Sequence, residues 1–114
     1  MIAEGCLESE TQIDSPDYML FAADVRDRVV IENLLSGVQK DLPTLVLTEC
    51  LLVYMRSEDS EMILSNFAGL FLNVGFVNYE MIGPDDKFGQ QMIENIEMRG
   101  CSLLGIRDCP TTKA

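Results

Sequence analysis

Thr44-Leu45-Val46-Leu47-Thr48, which runs directly into Glu49, is the stretch of sequence that decides the fold prediction. A short and continuous apolar run of this kind is typical of a strand that is buried on both faces of a parallel sheet. An earlier run, Tyr18 to Ala23, has the same character and ends at Asp24, and a later one extends from Gly75 to Glu80. The sequence therefore predicts three strands, and we expect the first two to be buried on both faces.

Amphipathic helices are predicted between and after these strands. Apolar side chains recur at i+4 spacing from Val30 to Val38, and Asp27 can cap the N-terminus of this helix. Ser57 is expected to cap a second helix, and a third follows the turn that contains Pro84. Strands and helices thus alternate along the chain, which favours an α/β fold with a parallel sheet and helices on both faces.

Composition limits the class of function. Eight Lys and Arg residues against nineteen Asp and Glu residues give a formal net charge of −11. This charge argues against a nucleic-acid or anionic-membrane surface, because both need clustered positive charge. The apolar tract Phe67 to Val77 is also too short to span a bilayer, which takes roughly 20 residues. We therefore expect no nucleic-acid partner and no membrane partner.

The cysteines indicate a compartment and argue against a metal site. Cys6, Cys50, Cys101 and Cys109 form no CxxC pair, and the chain contains no histidine. Zinc sites are built from such ligands at short spacings, so no metal is expected. Reduced thiols in an intracellular, cytoplasmic setting are the simplest interpretation.

Three acids close the three apolar runs: Asp24, Glu49 and Glu80. Ligands of open α/β sheets bind outside the carboxyl ends of the strands, where such acids can accept hydrogen bonds from an adenine, a ribose or an ammonium group. For any single acid, capping the next helix or facing water is the commoner outcome. The absence of histidine excludes Ser–His and Cys–His nucleophile chemistry within the chain, and no P-loop or G-x-S-x-G elbow occurs. The residues alone favour a nucleotide-type cleft and do not name its ligand.

Five blocks of sequence form longer motifs: Ala23-Asp24-Val25-Arg26-Asp27, Pro43 to Met55, Phe76-Val77-Asn78-Tyr79-Glu80, Asp86 to Asn95, and Cys101-Ser102-Leu103-Leu104-Gly105. The TEC-LLVYM and DKFGQQMIEN motifs within two of these blocks are far more specific than a lone glycine motif. Together the blocks resemble the leucine carboxyl methyltransferase family, and the resemblance runs from about Asp14 to Cys109.

The resemblance implies the central strands and helices of a partial class I S-adenosylmethionine-dependent methyltransferase with a Rossmann-like fold. It places Asp24 and Val25 against the adenine of the cofactor and Glu49 in the cofactor site at the end of the next strand. Tyr54 and Tyr79 match aromatic positions near the cleft, and a substrate role for them is a weaker expectation, since a buried Tyr with a satisfied hydroxyl is commoner.

The implied reaction is methylation of the α-carboxylate of the C-terminal leucine of the protein phosphatase 2A catalytic subunit, whose C-terminal tail is the expected partner. A carboxylate is already ionised at neutral pH, so it attacks the methyl group without a general base, and the protein works by positioning and electrostatics. The residue content of this chain, which includes no histidine, agrees with a reaction that needs no general base, and no catalytic residue is expected.

The resemblance covers only the middle of the family's enzyme. We expect an acidic leader or loop at 1–16, a partial methyltransferase domain at 17–100 and a tail at 101–114. The family's glycine-rich loop and its ribose-binding acid have no counterpart here, and the strand near Tyr18 to Ala23 is expected to lack its neighbour. These gaps predict a fragment that is not catalytic alone, and the alternative is a non-catalytic acidic fragment that binds a protein.

Overall fold

The computed structural model describes residues 7–8 and 12–108 of the chain. The chain divides into two compact units, 1–38 and 39–114. Cys6, Cys109 and the part of the predicted tail at 109–114 lie outside the described residues. The predicted division into leader, domain and tail stays a prediction.

The first unit contains a small antiparallel sheet and one short helix. Its strands are β1 (Leu7–Glu8), β2 (Gln12–Ser15) and β3 (Tyr18–Phe21), in the spatial order β1-β2-β3. The helix is α1 (Arg28–Leu34). Strand β2 lies within the segment expected to be a leader or loop, so the expectation of irregular backbone is wrong for Gln12–Ser15.

Strand β3 is an exposed hairpin strand, and the prediction that it is buried on both faces is wrong. Ser15 pairs with Tyr18 across a turn made by Pro16 and Asp17, and the Ser15 hydroxyl donates to the Tyr18 carbonyl at 2.9 Å. Tyr18 is 58% exposed and Leu20 is 50% exposed. The strand has a partner in β2, so it does not lack a neighbour. The neighbour that we expected to be absent is supplied locally, by the hairpin turn that joins β2 to β3.

Helix α1 begins where the sequence predicts. The Asp27 carboxylate accepts a hydrogen bond from the Val30 backbone N–H at 3.1 Å, which satisfies a donor that the helix itself cannot pair. The helix ends at Leu34, which is earlier than Val38, the last apolar position of the predicted helix.

The second unit contains a two-stranded parallel sheet and the remaining helices. Strand β4 (Pro43–Glu49) and strand β5 (Asn73–Tyr79) pair in parallel over their whole length. A 3₁₀ helix (Leu52–Tyr54) and helix α2 (Ser57–Leu70) connect them, and helix α3 (Lys87–Glu97) follows. The α/β class is confirmed. In the described residues, however, the parallel sheet has two strands, since the first predicted strand, which is β3, pairs with β2 instead.

The two faces of this sheet differ in burial. Leu45 is 67% exposed, Leu47 is 63% exposed, and Tyr79 on the same face is 68% exposed. On the opposite face Thr48 is buried, and its hydroxyl hydrogen-bonds to the Asn78 side chain at 2.7 Å. The prediction that β4 is buried on both faces is therefore wrong, because only one face is covered within the described residues.

Helix α2 begins without the predicted cap. Arg56 occupies the N-cap position and its side chain makes no capping bond, while Ser57 is already the first helical residue. The Ser57 hydroxyl donates instead to the Asp108 carboxylate. Glu58 and Asp59 lie in the first turn, where the helix dipole favours negative charge.

Helix α3 is capped by Asp86, whose carboxylate accepts from the Gly89 N–H at 2.6 Å. Pro84 precedes this cap, so it does not occupy the first helical position as predicted. Beyond the helix, Gly100 adopts the left-handed conformation with φ of 78°, which agrees with the predicted ending.

The core of the second unit joins the described part of the predicted tail to the 3₁₀ helix. Val53, Leu103 and Ile106 are buried together, and apolar residues of α3 pack against them. No helix in the described part of the chain is both long enough and apolar enough to cross a membrane.

Candidate functional site at the carboxyl end of the parallel strands

Glu49 and Tyr79 are neighbours at the carboxyl end of the parallel sheet. They are the last residues of β4 and β5 and occupy the same register position, so they lie side by side on one face. Both side chains are exposed. The structure thus brings together two of the side chains that the sequence singled out, at the edge where open α/β sheets bind ligands.

The chain turns sharply directly after Glu49. Cys50 has a φ of 46°, a left-handed conformation that is uncommon for residues other than glycine, and its N–H donates to the Tyr79 carbonyl at 2.8 Å. The 3₁₀ helix follows and ends at Tyr54, whose side chain is 41% exposed. Tyr54 is therefore held on the same short segment that carries Glu49.

Glu80 binds the backbone of this segment. One of its carboxylate oxygens accepts from the Val53 N–H and the other accepts from the Met81 N–H, each at 3.1 Å. This acid, which we considered as a ligand acceptor, has both oxygens engaged by amides within the chain. Glu80 therefore fits the commoner outcome for an acid at a strand end, which is to accept a hydrogen bond from a neighbouring helix.

Gly105 holds the 3₁₀ helix from another side. Its N–H donates to the Val53 carbonyl at 2.9 Å, so both polar groups of the Val53 backbone are bonded. A Cβ atom at Gly105 would lie 2.9 Å from the Met55 carbonyl oxygen, which is closer than side chains approach backbone. The close approach therefore requires glycine at this position.

A cavity of about 260 Å³ lies beside the 3₁₀ helix. Its wall is mostly apolar and includes Leu52, Val53 and Leu64. Three acids also line it: Glu61 from α2, Glu80 directly after β5 and Asp108 from the tail. No Lys or Arg is among the described residues that line the cavity. In the described part of the chain, no group of three or more His, Cys, Asp or Glu side chains could hold a metal ion.

Asp24 and Val25 lie in the first unit, in the loop between β3 and α1. The Asp24 carboxylate forms an ion pair with the Arg26 guanidinium, with 2.6 Å between Oδ2 and Nη2, and also accepts from the Arg26 backbone N–H at 3.0 Å. These hydrogen bonds from Arg26 lower the pKa of Asp24 from 3.8 to about 2. Val25 is half-buried.

Curated proteins similar to this chain include leucine carboxyl methyltransferase 1 of Rattus norvegicus and the leucine carboxyl methyltransferase 1 homologue of Arabidopsis thaliana. The rat protein is 41% identical over 104 residues, which is 90% of this chain and 31% of the rat protein. The Arabidopsis thaliana homologue is 40% identical over 107 residues, which is 92% of this chain and 32% of the relative. Over most of its own length the chain is similar to part of leucine carboxyl methyltransferase 1.

The match has two limits. The chain spans about a third of the length of these leucine carboxyl methyltransferases. It is also 32% identical over 103 residues to a human protein named tRNA wybutosine-synthesizing protein 4, of which it covers 15%. No family model matches the chain. The matched stretch is thus shared by enzymes with different names, so it does not by itself specify a substrate.

Sequence reasoning missed two contacts of the site. The Asp24–Arg26 pair carried a signal, because opposite charges two positions apart in a loop can meet. The Glu80 contact carried none, because Glu80 and Val53 lie 27 positions apart and the acceptor is paired with a backbone amide.

Proposed function

We propose that this chain supplies part of the cofactor site of an S-adenosylmethionine-dependent methyltransferase with a class I, Rossmann-like fold. The reaction is methyl transfer to the α-carboxylate of the C-terminal leucine of the protein phosphatase 2A catalytic subunit, in the cytoplasm. The observation that carries the proposal is the pair Glu49 and Tyr79, exposed side by side at the carboxyl end of two parallel strands in a chain similar to leucine carboxyl methyltransferase 1. This is where nucleotide-type ligands bind such sheets.

The residues present fit this cofactor. Within residues 7–8 and 12–108 no side chain pairs with the exposed Glu49 carboxylate, so it can accept hydrogen bonds from the cofactor's hydroxyl or amino groups. Asp24 and Val25 are proposed to lie against the adenine. The hydrogen bonds from Arg26 lower the pKa of Asp24 to about 2, and the carboxylate is ionised at physiological pH, as an unperturbed aspartate is. Tyr54 and Tyr79 supply exposed aromatic surface for the substrate side of the cleft.

When bound, S-adenosylmethionine supplies the activated methyl group. The residues of this chain then bind and orient, since a leucine carboxylate is ionised at neutral pH and needs no general base. The Glu49 carboxylate also places negative charge near the cofactor, which favours binding of a cationic donor over its neutral product. No side chain of this chain is required to move a proton.

A chimera tests the proposal. The stretch of rat leucine carboxyl methyltransferase 1 that matches this chain is replaced by the corresponding residues of this chain. Transfer of a labelled methyl group is then measured to a peptide with a free C-terminal leucine. A peptide with an amidated C-terminus is the substrate control and is expected to accept no methyl group.

Variants of the chimera locate the contribution of this chain. Glu49→Gln is expected to weaken cofactor affinity about tenfold or more, which is the worth of one hydrogen bond to a charged acceptor. Glu94→Gln, an exposed acid on α3, is the matched control and is expected to change nothing. An active chimera whose cofactor affinity is the same with Glu49→Gln and Asp24→Asn would contradict the assignment of these residues.

The second candidate is a non-catalytic acidic fragment that binds a protein. The observation that favours it is the uncovered apolar face of the sheet, formed by Leu45, Leu47, Val77 and Tyr79. An inactive chimera, together with protein binding that is lost on Leu47→Lys, would favour this candidate over the methyltransferase.

A further inference from the structure

The amide of Val53 is a buried donor in the first turn of the 3₁₀ helix. Val53 is 3% exposed, so its N–H cannot be satisfied by bulk water. The first donors of any helix have no partner within the helix, and a buried donor left unpaired is destabilising. The position of the 3₁₀ helix therefore depends on the group that accepts from this amide.

That group is the side chain of Glu80, from the segment that follows β5. Glu80 accepts from Val53 at 3.1 Å with one oxygen and from Met81 at 3.1 Å with the other. The second bond fixes the carboxylate relative to its own backbone, so the first bond fixes the 3₁₀ helix relative to the end of β5. An ionised carboxylate is a stronger acceptor than a neutral group and can serve both amides.

The segment held in this way is the one that carries the candidate site. Glu49 and the left-handed Cys50 precede the 3₁₀ helix, and Tyr54 belongs to it. Among residues 7–8 and 12–108, the other hydrogen bond that ties the start of this turn to β5 runs from the Cys50 N–H to the Tyr79 carbonyl. We propose that Glu80 is a positioning residue: it fixes the turn from Cys50 to Tyr54 and thereby orients Glu49 and Tyr54 toward the cofactor. The second part of this inference rests on the proposed function.

Amide exchange in the full 114-residue chain tests the first part. In Glu80→Gln the amide oxygen can still accept once, but its NH₂ group faces the other backbone donor. We expect exchange of the Val53 and Met81 amides to accelerate about tenfold or more, together with a displacement of the Tyr54 ring resonances. Glu80→Ala is expected to give a larger effect. Amides of the β4–β5 ladder serve as the internal reference, and Glu94→Gln serves as the matched control.

Calorimetric titration of the chimera described above with S-adenosylmethionine tests the second part. Well below the unfolding midpoint of both proteins, we expect the Kd of the Glu80→Gln chimera to rise about tenfold, a loss of affinity that unfolding does not explain. Unaltered Val53 exchange and Tyr54 resonances would overturn the positioning role. Accelerated exchange with an unaltered Kd would overturn the link to the cofactor. If the wild-type chimera binds no cofactor, the proposed function fails, and the exchange and ring resonances of the 114-residue chain still decide whether Glu80 positions the turn.

Discussion

Replacing Gly89 with alanine is expected to destabilise the second unit, although alanine is the better helix former. Gly89 is buried in the first turn of α3, against the turn that precedes the helix. A Cβ atom there would lie 2.9 Å from the Pro84 Cα and would also meet the Gly83 carbonyl. Both neighbours are backbone atoms, so relief requires a movement of the chain rather than a change of side-chain rotamer.

The magnitude follows from three contributions. Forcing an extra carbon into a packed contact costs about 1–3 kcal/mol. Movement of the turn also strains the Asp86 cap on the Gly89 N–H, and loss of such a cap costs about 1 kcal/mol. Alanine regains about 0.5–1 kcal/mol of helix propensity over glycine. The expected net loss of unfolding free energy is about 2 kcal/mol.

Gly69→Ala is the matched substitution with the opposite sign. Gly69 lies in the last turn of α2, and a Cβ atom there would meet nothing within 4 Å. Only the propensity gain remains, so this variant is expected to be more stable than wild type by about 0.5 kcal/mol. Both glycines belong to the same compact unit, so urea unfolding followed by circular dichroism at 222 nm compares them directly.

The difference in unfolding free energy between Gly89→Ala and Gly69→Ala distinguishes the packing argument from helix propensity alone. The two substitutions are chemically identical and both lie in helices, so helix propensity alone predicts the same sign for both. The packing argument predicts opposite signs and a separation of about 2.5 kcal/mol. Stabilisation by Gly89→Ala, or equal shifts in both variants with unchanged m-values, would refute the close approach of α3 to the Gly83–Pro84 turn.

Three further predictions concern single residues. In Arg26→Met we expect the pKa of Asp24, measured by carbon NMR titration, to rise from about 2 toward 3.8. Because the folded pKa is lower than the unfolded one, the contribution of the Asp24–Arg26 pair to folding stability is present above pH 3.8 and is lost as the pH falls toward 2. Asp27→Ala should remove the α1 cap, cost about 1 kcal/mol and accelerate amide exchange at Val30. Cys50→Gly should be more stable than Cys50→Val by about 1–2 kcal/mol in urea unfolding, because only glycine adopts the left-handed φ without strain.

The elements of the second unit could be predicted from sequence because local patterns determine them. The apolar run of β4, the acids in the first turn of α2 and the glycine beyond α3 all depend on neighbouring residues. The prediction of the α2 cap was wrong because the cap depends on a distant residue. The Ser57 hydroxyl, which was expected to cap the helix, donates to the Asp108 carboxylate instead. Local signals give the element, and tertiary contacts select its terminal hydrogen bonds.

The first unit shows why burial could not be read from an apolar run. Tyr18 to Phe21 and Thr44 to Thr48 look alike in composition, but one is a hairpin strand and the other lies in a parallel pair. The sequence did contain the hairpin signal, since Pro16 and Asp17 are typical turn residues. An apolar run shows that a strand can be covered on both faces, and only the remaining structure shows whether it is.

Glu49 and Glu80 could not be told apart from sequence because their difference arises from the register of β4 and β5. Glu49 is in register with Tyr79, so Glu80 lies one position beyond its apparent counterpart. Side chains alternate between the two faces of a strand, and an offset of one residue therefore directs Glu80 away from the face that Glu49 shares with Tyr79. On that other side it meets the Val53 amide, while Glu49 stays exposed. One acid is thus left available for a ligand, and the other is left to hold the turn that presents it.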